Sequence, residues 1–144
     1  MRLGVILHFS EDYHRQVQIR REILRLPLNL DFTEEELALE ANEYHLGAWD
    51  EDNNLVAVLS LKPLADNEIK MRQVAVKQSV QKSGIGKLLV LFAEQFALSK
   101  GYTRIVLNAR DSAIDFYLFL NYSITGPQFK EVGLTHSKMF KNIA

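Results

Sequence analysis

The chain of 144 residues has no cysteine, and that absence excludes a thiol nucleophile, a thiolate zinc site and a disulfide framework. Proline is scarce, with three residues, and no proline-, glycine- or serine-rich stretch offers a linker at which to divide the chain. There is no internal repeat or low-complexity segment either, so residues 1–144 are expected to form a single domain. Neither sign of charge is in excess. The 17 Lys and Arg against 18 Asp and Glu leave a net charge of -1 with no basic run, which argues against binding nucleic acid through bulk electrostatics. The four histidines, His8, His14, His45 and His136, lack the His-x-x-x-His spacing that sets two ligands on one helix face, so no metal is expected. Long apolar runs are also missing. The start Leu3 to Leu7 is too short for a signal segment and polar residues follow it at once, so neither export nor membrane insertion is expected and the cytoplasm is the default location.

With 47% hydrophobic and 24% charged residues, a chain of this length can bury a core without a staple. Leu3 to Phe9 predicts a first strand, and Ser10, followed by Glu11 and Asp12, predicts a capped helix start. Val17, Ile19, Ile23 and Leu24 supply its apolar stripe, Arg20, Arg21 and Arg25 lie between them, and Pro27 should end it. Thr33 and Glu36 have capping-box spacing for a short acidic helix to about Ala41. Tyr44 to Trp49, Leu55 to Leu61 and Glu68 to Lys77 predict three consecutive antiparallel strands. A long helix follows, with Ile85, Leu88, Leu89, Phe92, Phe96 and Leu98 at helical spacing, Ser83 as its cap and Gly101 just beyond its end. The strand Arg104 to Asn108 must return parallel to Glu68 to Lys77. Ser112 should cap a last helix through Phe116, Tyr117 and Leu120 that Asn121 stops, before the strands Tyr122 to Phe129 and Leu134 to Phe140. The fold class is mixed α/β, about seven strands in one sheet and about four helices.

The stretch Gln81-Lys82-Ser83-Gly84-Ile85-Gly86 joins a strand to the long helix, where unpaired backbone N–H groups make an anion cradle. A dinucleotide fingerprint is excluded because Leu89 stands where the third glycine should be. A Walker loop is excluded because Leu88 follows Gly86-Lys87 and Gln81 occupies the first glycine position. An ordinary strand-to-helix turn with no ligand also fits these six residues.

Gln-x-x-Gly-x-Gly after a strand is similar to motif A of the GCN5-related N-acetyltransferases (GNAT). Arg72-Gln73-Val74-Ala75-Val76 before the turn strengthens the likeness, as do Leu107-Asn108-Ala109-Arg110 and Ala113-Ile114-Asp115-Phe116-Tyr117 after it. Asn121-Tyr122 stands where the family often has Gly-Phe or Gly-Tyr. Arg110 departs from the family's usual Asn, with Asn108 two positions earlier. Together with Gly126 to His136 and Met139, the Leu-Asn-Ala-Arg form resembles the ElaA-like branch.

The resemblance implies acetyl-coenzyme A as co-substrate and direct transfer of acetyl to a primary amine on a small molecule or a protein, or else a non-catalytic coenzyme A-binding module of the same fold. It implies pantetheine contacts at Val74, Ala75 and Val76, and an N–H of Val74 aimed at the oxyanion. It places the pyrophosphate on Gln81, Lys82, Ser83, Gly84, Ile85, Gly86 and Lys87. Asn108, Arg110, Ala113, Phe116 and Tyr117 complete the cofactor set. Tyr117 is implied as general acid to the thiolate, although a tyrosine packed in the core would sit at the same spacing. The base stays open among Glu22, His45, Glu68, Glu131, His136 and a water chain. For the acceptor, the resemblance points to Arg20, Arg21, Leu26 and Pro27 with His45 and His136. An exposed edge strand near the C-terminus would let two chains pair.

Overall fold

The structure, a computed structural model, describes residues 1–144. Its elements run β1 (Arg2–Ile6), α1 (Glu11–Arg20), α2 (Glu34–Leu39), β2 (Tyr44–Trp49), β3 (Leu55–Pro63), β4 (Glu68–Val76), α3 (Ile85–Ser99), β5 (Arg104–Arg110), α4 (Ile114–Phe119), β6 (Ser123–Glu131) and β7 (Leu134–Asn142). The seven strands form one sheet in the order β1-β2-β3-β4-β5-β7-β6. Only β4 and β5 are parallel, as a strand, a crossover helix and a returning strand require. No helix is long and apolar enough to cross a membrane.

The apolar runs of β2 and β3 are buried on both faces because helices cover both sides. On one side α3 presents Leu89, Val90, Ala93 and Ala97 to Leu46, Leu59, Leu61 and Ile69, and Tyr117 and Leu120 of α4 join that cluster. On the other side α1 presents Tyr13, Val17 and Ile19 to Trp49, Leu55, Val58 and Ala75. Each fully buried side chain of leucine size contributes about 1.5–3 kcal/mol.

Two irregularities set up the site. Opposite β3 the register slips between Val58 and Ser60, which pair with Ala75 and Arg72, so Gln73 and Val74 together oppose Leu59. Gln73 absorbs this bulge with a φ of 55°. The bulge reverses the strand's alternation: Ile69 and Met71 face α3 before it, whereas Val74 and Val76 do so after it and Ala75 turns to α1. The second irregularity follows α1, which does not run on to Pro27. It widens into a π turn over Arg21–Arg25, then tightens into a 3-10 turn over Leu26–Leu28 that ends at Asn29 with φ 58°.

Ser10 caps α1 through Tyr13 N, and Thr33 caps α2 through Glu36 N, as their spacing predicts. Two other predicted caps fail. The N-cap of α3 is Gly84, and the Ser83 hydroxyl is spent on the carbonyl of Val80. Ser112 lies inside a 3-10 turn over Asp111–Ala113, and α4 starts without a side-chain cap. At helix ends Gly101 and Asn121 take the left-handed conformation, with φ of 92° and 72°.

Candidate active site

β4 and β5 pair over only three positions, Glu68 with Arg104, Ile69 with Ile105 and Lys70 with Val106. Beyond Lys70 the bulge turns β4 away, the strands part, and a cleft of about 270 Å³ opens through the sheet. Ala113 and Tyr117 line it from the α3 and α4 side; Leu24 and Arg25 close it from the α1 side.

Tyr117 is 6% exposed and packs edge-on against Phe116 and Tyr122 at 5.0 and 5.6 Å. The residue lines the cleft, and its hydroxyl, unlike that of Tyr122, which donates to Glu94, makes no hydrogen bond within the protein. Burial raises its pKa above the ordinary tyrosine value, so the group stays a protonated donor. Phe116 leads outward from it: a Cβ on Gly86 would lie 3.7 Å from the Phe116 ring and 3.4 Å from Val76. Gly86 of the turn thus packs on Phe116, the neighbour of the tyrosine that lines the cleft.

The turn is a nest. Lys82 and Gly84 take φ of 66° and 89°, and the N–H groups of Gly84, Ile85, Gly86 and Lys87 have no backbone acceptor. The Gln81 side chain donates to Val76 O at 3.0 Å, so it shapes the turn and is not free for a ligand. Phosphate oxygens fit such a cradle because the unpaired N–H groups and the dipole of the helix behind them both favour negative charge.

Of the other implied residues, Val74, Asn108, Arg110 and His136 line the cleft. Ala75 and Val76 pack into the two cores, leaving only backbone to offer. Ile105, Leu107 and Ala109 face α3, so by alternation Asn108 and Arg110 face α1, away from the glycine turn. Arg110 therefore sits on the α1 side of the cleft and not beside the glycine turn, and it donates to Leu24 O at 3.1 Å.

The expected acceptor set needs correction. Arg20 is fully buried, held at 2.8 and 2.5 Å by Glu40, and does not reach the cleft. Arg21 binds Asp31 at 2.6 Å on the surface, and Leu26 and Pro27 follow the π turn outside the cleft lining. His45 is 1% exposed with both ring nitrogens engaged, by Ser60 at 2.9 Å and by the Glu40 carbonyl at 3.0 Å. Arg25 and Leu24 take the place of these residues, brought in by a π turn that apolar spacing does not announce. Lys70 and Arg72 were also missed, although two charges alternating with Ile69 and Met71 on a central strand were a signal of a polar face.

Among the candidate bases, Glu22 accepts from Gln18 on the outer side of α1, and Glu68 lies at the closed end of the parallel pair. Glu131 and His136 line the cleft. His136 Nδ1 lies 2.9 Å from the Leu134 carbonyl, which can only accept, so Nδ1 carries a proton and Nε2 is the nitrogen that has the lone pair in the neutral ring.

A sheet parted between two parallel strands, a tyrosine lining the gap and a turn of unpaired N–H groups at the start of the crossover helix are the features of the N-acetyltransferase fold. Residues 7–122 match the family model described as Acetyltransferase (GNAT) family, and the chain belongs to that family. It is similar to Uncharacterized protein YyaT of Bacillus subtilis (strain 168), at 26% identity over 144 residues covering 92% of this chain and 90% of YyaT. An aminoglycoside 6'-N-acetyltransferase solved with coenzyme A shares the fold at a TM-score of 0.81 and 17% identity, covering 100% of this chain and 98% of its own. Escherichia coli ElaA shares the fold at a TM-score of 0.80 and 16% identity, with 98% of this chain and 99% of its own covered.

Proposed function

We propose that the protein transfers acetyl directly from acetyl-coenzyme A to a primary amine held on the α1 side of the cleft. The observation that carries this reading is Tyr117, 6% exposed and lining the gap, whose hydroxyl makes no hydrogen bond within the protein. The N–H groups of Gly84 to Lys87 hold the pyrophosphate, with Lys82 and Lys87 adding charge. Acetyl-coenzyme A supplies the activated thioester. Val74 N–H, turned by the bulge beside it, stabilises negative charge on the carbonyl oxygen. As the N–C bond forms, His136 Nε2 takes the proton that the amine releases, and as the C–S bond breaks, Tyr117 gives its proton to the sulfur.

Calorimetric titration with acetyl-coenzyme A, run beside thiol release over a panel of amines, tests this. Saturable binding with turnover on at least one amine is expected; tight binding with no transfer to any amine would refute the transferase reading. A polycationic acceptor such as an aminoglycoside is not favoured, because the acceptor side carries Arg25, Lys70 and Arg110. Gly84→Val should raise the acetyl-coenzyme A Kd about tenfold. A β-branched residue at φ 89° costs ~1–3 kcal/mol unless the turn reshapes, and reshaping scatters the N–H groups. An unchanged Kd would show that the turn does not hold the phosphates.

A further inference from the structure

The sheet face that α1 leaves open is unusually basic. Lys70 and Arg72 on β4, and Asn108 and Arg110 on β5, point to it by alternation. Their neighbours on β7 share it, because Asn108 pairs with Lys138 and Arg110 with His136. Arg72 is neutralised by Glu43 Oε1 and Oε2 at 3.0 and 2.9 Å. No ion pair is made by Lys70, Arg25, Arg110 or Lys138, and the only carboxylate lining the cleft is Glu131, which makes no ion pair either and accepts only a long hydrogen bond from Asn108 at 3.5 Å.

Arg25 and Arg110 line the same cleft, and Arg110 donates to the carbonyl of Leu24, the residue before Arg25. Burial and then the Arg25 charge lower the Arg110 pKa, with Glu131 opposing, and burial followed by Arg72 lowers that of Lys70. Arg25 Nε is sealed from solvent with no acceptor. Arg110 uses one N–H on Leu24 O and keeps the others of its fork. Adjacent guanidinium groups that are partly desolvated and unpaired repel one another, and a bound anion relieves both the repulsion and the unmet hydrogen bonds. The phosphates of the donor do not fill this role, since these groups face α1 and the glycine turn lies at the start of α3.

We propose that the acceptor is a primary amine that also carries a carboxylate, of the amino-acid type, with the carboxylate on the Arg25 and Arg110 guanidinium groups and the amine toward Glu131 and His136. This rests on the transferase reading above and names its substrate class. Glu131 favours such a zwitterion over a phosphorylated amine, because a second negative charge would meet it without a partner.

The test compares amino acids with their decarboxylated partners, tyrosine with tyramine, histidine with histamine, and ornithine with putrescine, at saturating acetyl-coenzyme A. The carboxylated member of at least one pair should have a kcat/KM at least about tenfold higher. Arg25→Gln should collapse that ratio about tenfold, chiefly through KM, while Arg25→Lys, which keeps the charge and loses the planar fork, retains only part of it. Decarboxylated amines that match or exceed their partners, or a ratio untouched by Arg25→Gln, would overturn the inference with the transferase reading intact. If no amine is acetylated, calorimetry with N-acetyl amino acids on the coenzyme A-bound protein decides it separately. Binding that Arg25→Gln abolishes supports the carboxylate site although transfer has failed, and equal binding of N-acetyltyramine and N-acetyltyrosine overturns it.

Discussion

Tyr117→Phe is expected to lower kcat at least tenfold and to leave the affinity for acetyl-coenzyme A nearly unchanged. A positioned proton donor contributes roughly 10²–10⁴ to a rate, and the departing sulfur has no other buried hydroxyl lining the cleft. The substitution removes only an oxygen that bonds to nothing in the protein, while the ring keeps its edge contacts at 5.0 and 5.6 Å with Phe116 and Tyr122. Thermal stability should therefore hold, so a fall in rate is not a folding defect. Burial lifts the pKa above the ordinary value, and the sign of that shift matters. The protonated form prevails through neutral pH and up to at least ~10, so any loss of kcat between about pH 7 and 10 belongs to another group. Steady-state kinetics against pH, with calorimetric binding as the control, checks both statements. An unaltered kcat in the variant would remove Tyr117 from the mechanism.

The element order is written in local chemistry. β2 begins and ends at the residues its apolar run predicts, and the right-handed strand-helix-strand rule places β5 beside β4. The glycine turn is legible in part for the same reason, because the φ of 89° at Gly84 suits a glycine, whereas nothing in the residue type announces the φ of 66° at Lys82. What opens the cleft is less visible. Arg72-Gln73-Val74 reads as unbroken strand, and the bulge exists only because Leu59 on another strand faces two residues at once. The Ser83 cap was misplaced because a serine before a helix has a competing local bond, here to the Val80 carbonyl. Arg20 departs furthest from what its place in the sequence suggests. Arginines along an amphipathic helix suit a solvent face or a ligand, and nothing local signals that Glu40 waits far along the chain to bury one of them. Its neighbour Arg25 reaches the cleft because the π turn advances the side chains after Arg20 by a fraction of a turn.

That buried pair yields the largest expected effect on stability. Arg20→Met keeps an apolar stem of similar reach and strips the guanidinium from Glu40, which is 3% exposed. Tyr13 Oη still donates to Glu40 Oε1 at 2.7 Å, but one neutral hydrogen bond does not replace the two charge-assisted bonds at 2.8 and 2.5 Å. A carboxylate left buried and unpaired costs about 3–5 kcal/mol, which in a chain of this size lowers Tm by about 10 °C. The pH dependence follows from the groups involved. Burial alone would raise the Glu40 pKa, yet the Arg20 hydrogen bonds and charge outweigh it and hold the pKa below the ordinary value. Its contribution is therefore present above the unfolded value near ~4.5 and is lost as pH falls through the native one. His45 is buried as the neutral ring, which lowers its pKa, so its contribution erodes earlier, as pH falls below ~6.5. The wild-type protein should lose stability first below about pH 6.5 and again below about 4.5. Its margin over Arg20→Met should narrow in the second range, where protonated Glu40 no longer needs a partner. Arg20→Met with Glu40→Leu should regain most of the loss, since apolar side chains of similar volume carry no desolvation penalty. Arg20 also rests on one side of the Phe32 ring, 4.6 Å from its centre, and Arg25 lies over the same ring at 4.6 Å. Releasing Phe32 should loosen Arg25, so the single variant is expected to raise the acceptor KM even at temperatures where it stays folded. Thermal melts from pH 4 to 8 with acceptor kinetics at 20 °C read both effects; a Tm within 2 °C of wild type at pH 7 would mean that the Arg20–Glu40 pair does not hold α1 to the segment after α2.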